Sequence, residues 1–254
     1  MPKFDKYTLF ARLFPAIIAA APAIALAWVL VSWKSLGVTH AIAGTALGVL
    51  LMVFADVARR RGKQIEPGLI ERMGGLPSTT MLRHRDPTLD DPTKARMLAF
   101  LATKLGEPAP TEADEQADPV AADSFYTRAG TWLRENTRDQ KHFDILFNEN
   151  ITYGYRRNLF ALKWPALALN ATIVIGCVIA YWYELPQKYL IGITPVFVIA
   201  FLHAAYLAIF SSESAAREAA RTYARQLLLS TESPHLASKP AAKPKPRAKK
   251  QSST

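Results

Sequence analysis

The sequence predicts an all-α membrane protein: four transmembrane helices arranged as two hairpins that flank a cytosolic helical insert. Three observations lead there. Half of the 254 residues are hydrophobic, yet they collect into long uncharged runs. The runs come in pairs separated by only a few residues, so each pair folds back on itself. The 31 Lys and Arg and 21 Asp and Glu fall almost wholly outside those runs, as hydrocarbon requires. The lone cysteine, Cys177, sits in an apolar run. It excludes a disulfide framework and suits a reducing compartment.

Residues 1–13 form a short cytosolic N-terminus with Lys3, Lys6 and Arg12. Residues 14–33 follow without a charge. At about 1.5 Å per residue, such a run spans the ~30 Å hydrocarbon core. A cleaved signal peptide is the competing reading, with Ala23-Ile24-Ala25 as a peptidase site, but the apolar run continues to Trp33. Residues 38–57 make the second span after a turn at Lys34–Gly37. Gly44 and Gly48 stand in the spacing that lets a neighbouring helix approach closely, and are packing candidates. Asp56 closes the span and is placed to pair with Arg59 or Arg60.

Residues 58–163 hold 17 Lys or Arg and 15 Asp or Glu and form the cytosolic helical region. A short helix is expected over Glu66–Met73, ended by Gly74-Gly75-Leu76-Pro77. Asp91-Pro92 predicts an N-cap and first helical position for a helix reaching about Leu105. Residues 106–118 read as a solvated acidic linker, with Thr111 and Asp114 as an approximate capping box. Asp118-Pro119 opens a further helix whose Phe125, Ala129, Trp132 and Leu133 share one face. Thr137–Asp139 breaks or bends it. From about Gln140 a helix is expected to run without interruption to Tyr183, about 65 Å in all, with Gly154 and Pro165 as places for a bend.

The third and fourth spans are residues 164–183 and 189–210, joined by the turn Glu184–Lys188. Residues 211–230 continue as an amphipathic cytosolic helix. Ala216, Ala220, Tyr223 and Leu227 lie on one face, with Arg217, Arg221 and Arg225 on another. The cytosolic extensions of spans three and four are therefore expected to meet as a helical stalk. Residues 231–254 alternate Pro, Ala and Lys and predict a disordered polybasic tail. Orientation follows from the cations. Segments 1–13, 58–163 and 211–254 carry 3, 17 and 9 Lys or Arg, whereas each hairpin turn carries one, Lys34 and Lys188. Both termini and the insert are thus expected in the cytoplasm of a bacterial inner membrane.

Candidate chemistry is sparse. Tyr153, Tyr155, Arg156 and Arg157 precede the third span as an aromatic and basic collar. Together with Glu149, Asn150 and Asn158, whose partners are expected on the stalk or on Arg59–Arg61, they are the interface and coupling candidates. Asn170 and His203 lie deep in spans and are expected to hydrogen-bond between helices. Gly74–Thr80 loosely resembles a phosphate loop but lacks its Gly-Lys-Ser/Thr ending. His84-Arg85-Asp86 has no accompanying kinase motif and reads as part of a charged loop. His142 with Asp139 and Glu149 reads as a solvated face. No cofactor is implied. Arg59–Lys63 and Lys239–Lys250 are candidate contacts to anionic lipid.

The plan resembles that of many small bacterial inner-membrane proteins, including membrane-acting effectors of defence systems. The expected function is non-enzymatic: a cytosolic helical module that binds or senses a protein partner and couples it to the hairpins. An oligomeric channel or transporter subunit is the alternative, and needs a homo-oligomer to build a pore. A lipid-acting membrane enzyme ranks third, since no catalytic cluster is visible.

Overall fold

The computed structural model describes residues 5–30, 40–183 and 187–239. The fold is all-helical, with 83% of residues in helices and no strand among the described residues. Three described helices are long and apolar enough to cross a membrane: Thr8–Val29, Asp144–Trp182 and Ile193–Phe210. The expected second span begins outside the described residues, as does the turn Lys34–Gly37; of the expected turn Glu184–Lys188, residues 184–186 lie outside them, and Gln187 and Lys188 are already helical.

The chain divides into two compact units. One comprises Met1–Leu69 and Asn150–Ala220, the other Ile70–Glu149 and Arg221–Thr254. In the first unit a π-helix, Thr8–Leu13, leads into α1 (Phe14–Leu30). α2 runs over His40–Arg72, α7 over Asp144–Trp182 and α8 over Gln187–Phe210. α1 packs along α8. Small residues from α1 and α2 (Ala16, Ala19, Ala58) close against Leu159, Leu162 and Ala166 of α7 and Leu207 of α8. A second layer joins Ile173 and Cys177 of α7 to Ile193 and Val196 of α8. The outward surface is apolar: Trp28, Trp164 and Phe201 are each 72% exposed, and Ile209 is 68%.

The second unit has the opposite dress. α4 (Asp91–Leu105), α5 (Glu112–Ala117), α6 (Pro119–Asn136), the start of α7 and the end of α9 (Glu213–Leu229) surround one core. Leu82, Met97, Leu101, Tyr126, Leu133, Leu227 and Leu228 are almost wholly buried in it. A single-turn helix, α3 (Pro77–Thr80), packs on α6.

Several expectations change. Glu66–Met73 is not a separate helix. α2 runs unbroken through it, with Pro67 inside, and ends at Arg72, after which Gly74 and Gly75 take φ of 74° and 129°. The cap of α4 is Asp90, whose carboxylate accepts from Thr93 N at 3.0 Å, so Asp91 is already helical. Residues 106–118 are largely exposed, as expected of a linker, but Glu112–Ala117 within them is a short helix opened by a full capping box of Thr111 and Asp114, and Glu115 is buried. The tail does not lose order at 231. Ser230–Glu232 makes a 3₁₀ turn, α10 (Pro234–Ala237) follows, and Leu236 is fully buried in the core. A single leucine in a polar stretch has no periodicity to reveal it. Residues 240–254, the rest of the expected tail, lie outside the described residues.

The stalk is also different. Ser211 and Ser212 interrupt the helix between α8 and α9. Phe143 and Leu146 do share a core with Ala224 and Leu227, but α4 and α6 complete it. It is not a bare two-helix stalk. Among the described residues, Gly48 has nothing within 4 Å of where a Cβ would sit, so none of them makes the close approach expected there. The surroundings of Gly44 lie outside the described residues.

Candidate functional site

In the first unit, close helix contacts occur at glycines other than the expected pair. Gly62 of α2 faces Asn158 of α7 so closely that a Cβ on Gly62 would lie 1.8 Å from Asn158 Oδ1. A Cβ on Gly154 would lie 2.8 Å from the Tyr7 hydroxyl and 2.9 Å from Ala11 Cβ. These two glycines let α2, α7 and the N-terminal π-helix meet around a polar knot. Arg157 Nη1 donates to Glu66 Oε1 at 2.6 Å, and the Tyr153 hydroxyl donates to the same oxygen at 2.9 Å. Arg157 also reaches Asn158 Oδ1 through Nε and Nη2, each at 3.3 Å. Asn158 Nδ2 donates to the Ala11 carbonyl at 2.7 Å. Asn158 is fully buried and Arg157 is 7% exposed.

The collar is therefore mostly internal. Tyr155 and Tyr206 share a hydroxyl–hydroxyl bond of 2.5 Å, and Arg156 Nη1 donates to the Phe210 carbonyl at 3.2 Å. Lys163 Nζ donates to the Ser211 carbonyl, and Ser211 Oγ donates to the Leu159 carbonyl. Ser211 thus pins the end of α8 to α7. Asn158 finds its partners at Ala11 and Arg157, not on a stalk or on Arg59–Arg61. Glu149 and Asn150 are half-buried and take no part in the knot. Arg59, Arg60, Arg61 and Lys63 are exposed, and Arg60 pairs with Asp56 at 2.6 Å, as expected.

Deeper in the same unit, Asn170 Nδ2 donates to the Ala200 carbonyl at 2.8 Å and lies 3.1 Å from His203 Nδ1. This is the interhelical bond expected of the pair. It leaves Asn170 Oδ1 and His203 Nε2 buried without a hydrogen-bond partner among the described residues, although the Ile18 main chain lies near the ring.

The second unit carries its own polar framework, largely unreadable in the sequence. Lys94 is buried, and its ammonium donates to the carbonyls of Arg83, His84 and Asp86 at 2.8, 3.3 and 2.5 Å. Glu115 accepts from His84 N at 2.7 Å and from the Tyr126 hydroxyl at 2.9 Å; burial is the main cause pushing that phenol upward. Arg83 forks onto Asp123 at 2.8 and 2.7 Å, a pairing that raises the guanidinium's pKa. The charged loop 83–86 is thus a pinned structural hub. His142 Nδ1 meets Asp139 at 2.7 Å, a bond that holds this carboxylate below its usual range. The His142 ring lies 3.8 Å from that of His235.

Beside this hub lies a cleft of about 480 Å³ lined by Met73, Pro77, Thr80, Met81, Arg83, Asp86, Thr88, Arg221, Thr222 and Arg225. Sequence reasoning saw its parts separately, as a false phosphate loop and as the polar face of an amphipathic helix. It had no means of joining them.

No known family model, curated protein or solved structure matches this chain.

Proposed function

We propose that this is a multi-pass integral membrane protein of a bacterial inner membrane, with four spans in two hairpins and both termini in the cytoplasm. Its helical unit binds a partner there and relays occupancy into the bundle; no enzymatic step is assigned. The distribution of 3, 17 and 9 cations in the three cytoplasmic segments against one in each turn supports the orientation. The observation that carries the relay is α7. It contributes Leu146 to one core and Leu159, Leu162 and Ala166 to another within a single helix of 39 residues, roughly 58 Å long. Amide hydrogen exchange along residues 146–160 in membranes tests it. The relay requires slow exchange throughout; rapid exchange around Glu149–Ile151 would mark a hinge and defeat it.

A second reading, an oligomeric channel or transporter subunit, is favoured by Asn170 Oδ1, which is buried without a hydrogen-bond partner among the described residues and sits beside the His203 ring. Buried polar atoms inside a membrane bundle are costly and mark ion or proton paths. Ion flux in liposomes that His203→Ala abolishes supports this reading, and absence of flux removes it.

A further inference from the structure

We infer that the cleft in the second unit is a binding site for a small organic phosphomonoester. The inference rests on the reading of that unit as a binding module and names its ligand class. Arg221 and Arg225 stand one turn apart on α9, both exposed and both lining the cleft. Several other arginines in this unit are held by carboxylates: Arg83 by Asp123, Arg96 by Glu232, Arg128 by Glu107 and Arg138 by Glu135. Arg221 and Arg225 have no such partner among the described residues. Like charges at i and i+4 repel, and the sequence tolerates the pair across an open cleft. An anion lying between the two guanidinium forks would turn that repulsion into two charge-assisted contacts.

Several features select a phosphomonoester over a simple halide or carboxylate. Two guanidinium groups match a phosphate dianion in charge, and the Thr88 hydroxyl lining the same cleft suits a further oxygen, whereas the Thr80 hydroxyl already donates to the Pro77 carbonyl at 3.3 Å. Arg83 cannot supply the charge, because Asp123 already occupies its fork. Asp86 also lines the cleft and repels an anion at its end; its carboxylate is engaged by Thr88 N at 2.8 Å. Met73, Pro77 and Met81 form an apolar wall. Thioethers and a proline ring favour contact with a flat organic body over a bare ion. The volume falls within the range of small-molecule pockets, about 300–1,000 Å³. Two lining residues are also closely backed: a Cβ at Gly75 would lie 3.3 Å from Thr80 Cγ2 and 3.4 Å from Arg83 Nη2.

The test is calorimetric titration of the full chain in detergent with three probes: inorganic phosphate, a nucleoside monophosphate and dihexanoyl phosphatidic acid. Saturable one-site binding is expected, tighter for an organic phosphate than for phosphate alone and weakening as salt rises. The tighter organic probe tells whether the natural source is soluble or a lipid headgroup. Arg225→Ala and Arg221→Ala should each weaken binding about tenfold. Arg225→Lys should weaken it less, and Arg128→Ala, outside the cleft, should bind as wild type. Circular dichroism checks that each variant keeps its helices. No saturable binding by any probe, or wild-type affinity in both alanine variants, overturns the inference. The titration is independent of α7 continuity, so its failure is distinguishable from failure of the relay.

Discussion

The two units solve the burial problem in opposite ways. The second keeps leucines and aromatics inside and most of its charge outside, Lys94, Lys104 and Glu115 excepted, with Val120 and Ile145 its exposed large apolar residues among those described. The first exposes tryptophan, phenylalanine and isoleucine along α1, α7 and α8 and buries Arg157, Asn158, Asn170 and His203. Water penalises the apolar exterior of the first unit, and hydrocarbon would penalise the charged exterior of the second. The contrast extends to polar bonds. In the second unit Lys94 and Lys104 donate to main-chain carbonyls and so fix loops and the α10 segment. In the first, side chains bond side chains and main-chain carbonyls of neighbouring helices and fix helix approach. One unit uses buried charge to hold loops, the other to hold helices.

Core truncation should break this symmetry most. Leu133→Ala, at a fully buried site of the second unit, should cost about 2–5 kcal/mol in denaturant unfolding. Phe201→Ala, at an outward site of the first, should stay within about 0.5 kcal/mol in detergent. Equal losses would mean that Phe201 is not a lipid-facing residue. Next comes the knot. Glu66→Ala leaves Arg157 buried without its carboxylate and should cost about 2–3 kcal/mol, short of a fully buried pair because Glu66 keeps some exposure.

Gly62→Ala should cost about 1–3 kcal/mol through overpacking against Asn158. Asn158→Ala should lose a similar amount by leaving the Ala11 carbonyl unpaired. The double variant should lose less than the sum, because the clash disappears with the amide; strict additivity would place the close approach elsewhere.

The smallest effect is expected from pH. Asp90 and Asp114 accept helix-cap hydrogen bonds from Thr93 and Thr111, chiefly from main-chain N–H groups, which lower both carboxyls below their ordinary value. A depressed folded-state pKa gives stability that is present above the unfolded value and lost as pH falls through the folded one. The second unit should therefore weaken below about pH 4. Asp90→Asn should flatten that part of a thermal-melt profile, and an unchanged profile would remove the cap from the account.

The all-helical class and three of the four expected spans were legible because hydrocarbon imposes length and composition on a span. Caps at Thr111 and Asp118 were legible because they are local. What was hidden depends on contacts far apart in sequence. Glu66 and Gly62 share a face of α2, and that signal was within reach. Reading a break before Glu66 concealed it, because Pro67 suggests an interruption that this helix absorbs. Lys94 carried no sequence signal, since its carbonyl partners lie in an irregular loop. Arg221 and Arg225 were legible only as one face of an amphipathic helix, because only the folded chain brings Met73–Thr88 beside them.

The central claim is that the first unit meets lipid where the second meets water. Single cysteines at Phe201, Ile209 and Val120 in a Cys177→Ser background, treated with a membrane-impermeant maleimide in open membrane sheets, test it most directly. The account predicts rapid labelling at position 120, and labelling at 201 and 209 only after the membrane is dissolved in denaturant. Labelling at 201 as fast as at 120 in intact sheets would contradict it.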